Sequence, residues 1–343
     1  MKKLLNTLFI LSEDAYLSLD GECISVQYQD GSHKLVPLHT LEGIVCFSYK
    51  GASPALMGKC VEKGIFLSFY SPSGKFRASI ADATNGNVYL RRTQYRIADD
   101  KEKTLLIARN FITGKIYNAK YVLLRCARDH ALRVDEDRIR RASDNLTRYL
   151  HDAAEAGDME RLRGIEGNAA AEYFQVFDEM ILQDKDAFRF TGRNRRPPLD
   201  RVNALLSFAY SLLANECAAA LYSVGLDPYV GFMHVDRPGR KSLALDIEEE
   251  LRAPFADRFV LTMINNRMIT ADDFNKMESG AVVLTDKGRR SFLVEWQKRK
   301  KKIISHPYLN EKLEWGLVPY AQALLLSRTI REDLEAYPPF FWK

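Results

Sequence analysis

The hydrophobic period of this chain changes once, near residues 82–87, and that change limits the possible folds more than any other feature. Upstream of it, short apolar runs at 7–10, 16–19, 23–28, 34–38, 43–48 and 65–70 have strand length and strand composition. Asp20-Gly21 and Asp30-Gly31 separate three of these runs. Asp-Gly is a hairpin signal because both positions of the tight turn need positive φ, so consecutive antiparallel pairing is expected there. Ser53 followed by Pro54 predicts a capped helix over 54–63. The turn-rich ATNGN after Asp82 ends this pattern.

Downstream, helical periodicity dominates, over 88–98, 101–128, 137–155, 168–182, 199–223, 243–252, 257–265, 271–276, 286–303 and 318–335. The expected fold is α+β: a small β-rich N-terminal domain, 1–84, followed by a larger, predominantly α-helical domain, 85–343. A chain of 343 residues exceeds the size at which one hydrophobic core usually stops growing, which agrees with two domains. No internal repeat is visible.

Composition excludes several classes. With 46% hydrophobic and 28% charged residues the chain is an ordinary globular one. Its five cysteines are odd in number, scattered and never spaced as CxxC, which argues for reduced, cytosolic thiols and against a disulfide framework or a thiolate zinc site. The start lacks a cleavage pattern, and the longest apolar stretch, 205–214, falls well short of the ~20 residues of a membrane span. No membrane segment is expected. The net charge is +5, and residues 1–85 hold as many acidic as basic side chains, so the excess belongs to the helical part. Arg193, Arg195, Arg196 and Arg201 cluster there, Arg240 and Lys241 form a pair, and residues 287–302 hold eight basic side chains against one acidic. Such clusters grip phosphates with little sequence preference. For the KRKKK run at 298–302 the competing reading is a solvated helix end.

Two segments carry candidate chemistry. In the first, 225–258, His234 precedes an Arg-Pro-Gly turn, and Ser242 is the expected N-cap of a helix that Pro254 should end. Asp246 and Glu249 lie three apart on that helix and could bind one cation, with an imidazole delivered from the preceding loop; such a mixed N/O set suits Mg2+ or Mn2+. Three consecutive glutamates, 248–250, more often form a solvated face, a lone histidine is more often structural, and spacing does not choose between Glu249 and Glu250. In the second segment, GIEGNAAAEYF, Glu166 stands between two glycines at an expected helix start. Ala169, Ala170 and Tyr173 share its face and leave room for a ligand, unless Glu166 simply favours the helix dipole.

The blocks GIEGNAAAEYF, RRPPLDRVNALLSFAYSLL and GFMHVDRPGRKSLALDIEEELR, in this order and spacing, resemble the integrase-endonuclease subunit of CRISPR adaptation. LEGIVCFSYKGASPALMGKC and GNVYLRRTQYRIAD fit the same family, closest to its type I-C branch. The likeness spans essentially the whole chain. It implies a β-rich dimerisation domain, a helical catalytic domain and a divalent metal, Mg2+ or Mn2+, on Glu166, His234 and Glu249, with Asp246 as an auxiliary acid. Glutamate at 249, where relatives often have aspartate, reaches one methylene further and leaves its division of labour with Asp246 open. The implied reaction is phosphoryl transfer, in which a DNA fragment is joined as a new spacer at the CRISPR repeat. The implied partners are double-stranded DNA, a small adaptation partner protein and a second copy of the chain, in the cytoplasm. Lys241, Arg240, Arg195 and Arg196 are the expected DNA contacts. A structure-specific nuclease for branched DNA and a noncatalytic DNA-binding scaffold are the alternatives.

Overall fold

The computed structural model describes residues 6–10, 12–70, 76–80, 88–194 and 197–342. The expected boundary at 82–87 lies outside them. Strands β1 (Asn6–Ile10), β2 (Tyr16–Asp20), β3 (Cys23–Gln27), β4 (His33–Pro37), β5 (Leu41–Cys46), β6 (Phe66–Tyr70) and β7 (Phe76–Ile80) form two sheets around one helix, α1 (Pro54–Glu62). The β2-β3-β4 sheet is antiparallel, as its Asp-Gly signals require. Only the glycines take positive φ, however. Asp20 pairs with Cys23 inside the ladder, so the two-residue loop is Gly21-Glu22, and Asp30 instead accepts hydrogen bonds from the Ser32 backbone and hydroxyl.

The second sheet runs β1-β5-β6-β7, with β1, β5 and β6 parallel and β7 antiparallel. Parallel neighbours need a crossover, and α1 supplies it between β5 and β6. Ser53 Oγ accepts from Leu56 N–H and Pro54 occupies the first turn, so α1 starts where expected. Leu17, Ile24, Leu38, Ile44, Leu56 and Leu67 bury fully between the layers.

The rest is helical around a separate core. Helices α2 (Val88–Asp99), α3 (Lys101–His130), α4 (Glu136–Ala154), α5 (Met159–Gln175) and α6 (Arg201–Ser223) are followed by α7 (Ser242–Leu251), α8 (Arg258–Asn265), α9 (Asp286–Lys300) and α10 (Val318–Ile330). The 30-residue α3 packs on α4, α5 and α7, while α6 packs on α7 and α10. Asp100, Asp135, Asp158 and Asp200 each accept a backbone N–H at the start of α3, α4, α5 and α6. By length and composition alone α6 could cross a membrane over Arg201–Tyr222, which the broken apolar run did not suggest; 61% of its most apolar 18-residue stretch is buried inside the protein.

Four expectations fail locally. Helix α5 begins nine residues before 168, because Asp158 caps it and Leu162, Ile165, Ala169 and Tyr173 bury one continuous face through Gly164 and Gly167. Glu166 therefore sits in mid-helix. Lys241, not Ser242, occupies the N-cap position of α7, without a side-chain cap, and Pro254 does not end the helical path: Arg252–Asp257 widens into a π-helical turn that leads into α8. Such a turn accommodates a residue without an N–H and often marks a functional site. Residues 271–276 form a 3-10 turn, closed by reciprocal Thr270 and Asp273 capping, and then β8 (Phe274–Lys276), which pairs with β9 (Val282–Leu284). A second small hairpin joins β10 (Ile303–Ser305) to β11 (Lys312–Glu314).

A Cβ at Gly164 or Gly167 would meet nothing within 4 Å, and neither glycine has positive φ. Each costs α5 helix propensity without a packing return. Gly164→Ala and Gly167→Ala are each expected to raise stability by about 0.5–1 kcal/mol, read from urea unfolding.

Candidate metal and nucleic-acid site

His234 lies on the loop between α6 and α7, and that loop is held from three helices. Gln94 of α2 donates to Asp227 O (2.8 Å) and Val230 O (2.9 Å) and accepts from Asp227 N–H. Arg163 of α5 donates to Met233 O (2.9 Å). From α7, Asp246 accepts through Oδ2 from Phe232 N–H (2.7 Å) and Met233 N–H (3.0 Å), and through Oδ1 from His234 N–H (3.0 Å). The loop wraps so tightly that a Cβ on Gly231 would stand 2.8 Å from Ser242 and 2.9 Å from Asp246.

Asp246 Oδ1 also lies 2.6 Å from His234 Nδ1. A carboxylate only accepts, so Nδ1 carries the proton and Nε2 is left as a lone-pair donor toward the cavity. Both Asp246 oxygens are thus taken by the loop and the imidazole. This corrects the reading that Asp246 and Glu249 face one cation together: Asp246 orients the histidine, in the manner of a carboxylate behind a ligating imidazole.

The glutamate run is not a solvated face, because all three side chains are buried and each goes a different way. Glu248 takes two hydrogen bonds from Arg252, at 3.1 and 3.2 Å. Glu249 points into a cavity of about 280 Å³ that is also lined by Glu166, His234, Lys115, Arg240, Arg193 and Arg252. Glu250 turns away to the C-terminal segment, where Tyr337 Oη, Gln322 Nε2 (3.0 Å) and Phe340 N–H (2.8 Å) donate to it.

Within the cavity, Lys115 of α3 pairs with Glu166 and lies 2.7 Å from Glu249 Oε2. Arg252 donates to Glu249 Oε1, and His234 Nε2 is 3.7 Å from the same oxygen. Burial would raise the Glu249 pKa, but Arg252 and Lys115 outweigh it and hold the carboxyl down to about 2. Opposite, Asp257 accepts from Tyr173 Oη (3.0 Å) and Tyr210 Oη (2.5 Å), and burial lifts its pKa to about 6 despite those donors.

The structure thus brings Glu166, His234 and Glu249 to one cavity from α5, a loop and α7. Among the described residues no three His, Cys, Asp or Glu side chains are close enough to hold an ion as they stand, because the Lys115 ammonium lies between the two glutamates. The donor chemistry fits Mg2+ or Mn2+: two carboxylates and one imidazole nitrogen, with Glu249 Oε2 buried and receiving no aligned hydrogen bond. Of the basic pair, Arg240 lines the cavity, while Lys241 reaches Asn215 Oδ1 (3.1 Å) and burial lowers its pKa to about 8. Arg195 and Arg196 lie outside the described residues. Arg201 is anchored on Ala187 O. The basic run at 287–302 is not wholly solvated either: Lys300 is buried against Glu216 (3.1 Å) and Arg289 is buried over the Phe47 ring.

Lys115, Tyr210 and Asp257 carry no local signal in the sequence. Arg252 had one, since it stands four and three residues after Glu248 and Glu249, the helical ion-pair spacings.

Glu250 gives a pH test. Burial raises its pKa to about 7, above the ordinary 4.5, even though Tyr337, Phe340 and Gln322 lower it. The unfolded chain releases this proton near the ordinary value and the folded chain keeps it longer, so the folded state binds more protons in that window and stability falls as pH rises through it. Glu250→Gln is expected to flatten the decline in melting temperature between about pH 5 and 7.5.

The family described as CRISPR associated protein Cas1 matches residues 8–298. The CRISPR-associated endonuclease Cas1 1 of Chlorobaculum tepidum is 47% identical over 343 residues, covering 100% of both chains. Among solved structures, a casposase bound to integration product superposes with a TM-score of 0.83 at 24% identity, over 99% of this chain and 93% of that one. A Cas6-RT-Cas1–Cas2 complex chain gives 0.83 at 22% identity, over 100% of this chain and 36% of that one. These two likenesses establish the fold, β-rich part and helical part together, and the sequence matches establish descent: this chain belongs to the Cas1 family of CRISPR-associated endonucleases.

Proposed function

We propose that this chain is a divalent-metal-dependent DNA integrase and endonuclease of CRISPR adaptation. The observation that carries the reading is the convergence of Glu166, His234 and Glu249, from three distant segments, on one cavity that also presents Arg240 and Arg193. Glu166, His234 Nε2 and Glu249 are the groups that would hold Mg2+ or Mn2+. When bound, the cation supplies charge neutralisation at the phosphate and lowers the pKa of the attacking hydroxyl.

The chain's own residues supply the rest. Asp246 fixes the imidazole so that Nε2 faces inward. Arg252, braced by Glu248, holds Glu249 anionic and in place. Arg240 presents its guanidinium group to phosphate oxygens at the cavity, and Arg193, held by Asn194 O, Asn203 Oδ1 and Ser207 Oγ, adds fixed positive charge to its lining. In the joining reaction the 3′-hydroxyl of a DNA fragment forms a new P–O bond at the edge of a repeat. The phosphorus stays on the 5′ end of the repeat strand, its P–O bond to the flanking strand breaks, and that leaving strand takes up a proton as a free 3′-hydroxyl. Hydrolysis places water in the same position and yields cleavage.

Double-stranded DNA is the substrate, as both spacer precursor and repeat. Lys241, next to Arg240 in the chain, and the arginines at 195 and 196 are the further DNA contacts of this reading. The β-rich domain, 1–84, pairs two copies, and a small partner of the Cas2 type, as in the Cas6-RT-Cas1–Cas2 complex, completes a cytoplasmic assembly. The stretches LEGIVCFSYKGASPALMGKC and GNVYLRRTQYRIAD support assigning the chain to the type I-C branch.

The test is product topology on a supercoiled plasmid carrying a repeat, with a short duplex donor, with and without the small partner. Mn2+-dependent joined product is expected, and it should vanish in chelator. Nicked or linear product without joining would leave only the nuclease; DNA retention with neither product under any divalent ion would leave a scaffold.

A further inference from the structure

Two cations touch Glu249, and they are held differently. Arg252 is locked: two hydrogen bonds tie it to Glu248, and its guanidinium lies 4.9 Å from the Tyr210 ring centre. Lys115 is not. Among the described residues its polar contacts are the carboxylates of Glu166 and Glu249, two of the three groups assigned to the metal. It is also a compact charge on a four-carbon stem that can rotate, and it lines the open cavity rather than a packed wall.

We propose that Lys115 is the resident counter-cation of this site, its ammonium bridging Glu166 and Glu249 in the metal-free chain and leaving that position when a divalent ion enters. The inference rests on the metal reading above and adds a role for a residue outside the ligand set. Two carboxylates brought together from α5 and α7 repel in a partly dry cavity. The ammonium neutralises them and keeps both helices in register before metal arrives. The same contact lowers metal affinity, because the ion-competent arrangement, with the ammonium swung out, is a minor state that binding must populate. Lys115 is therefore a positioning residue, and its removal has opposite effects on the two states: the metal-free chain loses stability while the affinity for metal rises.

The experiment compares the wild-type chain, Lys115→Met, Glu166→Gln and the double variant Lys115→Met/Glu166→Gln by Mn2+ titration in electron paramagnetic resonance and by thermal melting in chelator and in Mn2+. Lys115→Met is expected to bind Mn2+ on the order of tenfold more tightly, as for release from a competent state populated at about a tenth. It should melt lower than wild type in chelator and show the larger Mn2+-induced rise in melting temperature. The double variant, which removes one charge of each sign, should regain wild-type melting in chelator, so a general packing defect at position 115 is recognised by failure of that rescue and overturns the proposal. Unchanged or weaker Mn2+ binding by Lys115→Met also overturns it, while the metal reading survives if wild type binds and Glu166→Gln does not. Absence of Mn2+ binding in the wild-type chain removes the metal reading itself, and this assignment with it.

Discussion

Glu249→Gln is expected to lower Mn2+-dependent DNA cleavage by on the order of 10²- to 10³-fold, the scale on which a single preorganised electrostatic group counts, while DNA retention on a filter at fixed salt stays unchanged. Glu249 is the carboxylate that the rest of the cavity is built around: Lys115, Arg252 and His234 all lie against it. Glutamine keeps the shape and removes the charge that those groups, and a metal, require. Retention should survive because Arg193 and Arg240 remain. The fold should survive as well, since Arg252 keeps both hydrogen bonds to Glu248 and Lys115 keeps Glu166. Wild-type cleavage by this isosteric variant would leave Glu249 as a structural acid and remove it from the metal reading. Loss of both cleavage and retention would instead point to a misfolded chain, which melting in chelator would reveal.

Much of this architecture could be read from local pattern, and the gaps have physical causes. The alternating runs and Asp-Gly turns marked β2, β3 and β4, because hairpin pairing is encoded by near neighbours. The parallel pairing of β1 with β5 and of β5 with β6 is set by α1 and by chain segments far apart in sequence, and no local period records it. Helix α5 was cut short because two glycines look like a boundary, whereas the Asp158 cap and the buried stripe through Tyr173 outweigh a propensity cost of about 1 kcal/mol per glycine. At the site, Glu166 between two glycines and His234 before its turn are visible in the local sequence, whereas Glu249 is distinguished from Glu250 only by the family resemblance. Lys115 does not stand out, because a lysine in the middle of a long helix looks like any solvated lysine until α3, α5 and α7 close around it. Asp246 was visible but its direction was not: a three-residue spacing puts it on a face near Glu249 and says nothing of the loop that folds back to claim both its oxygens.

That direction is what Asp246→Asn measures. The carboxylate accepts four hydrogen bonds, two backbone N–H groups on Oδ2 and the backbone and ring N–H groups of His234 on Oδ1. An amide has one accepting oxygen, so in either orientation its NH2 group faces two donors with no water to separate them, since the side chain is fully buried. Losing two charge-assisted hydrogen bonds is expected to cost about 3–5 kcal/mol, and the cost should appear in chelator as fully as in Mn2+. A metal ligand would behave oppositely, with little change in chelator and the whole deficit appearing as lost Mn2+ stabilisation. The released loop should also let the imidazole turn, reducing cleavage by a further 10- to 100-fold or so beyond any loss of folded protein, as for other carboxylates that orient a ligating histidine. Urea unfolding in the two conditions therefore separates an acid that holds the histidine from one that holds the ion; full stability in chelator would return Asp246 to the ligand set.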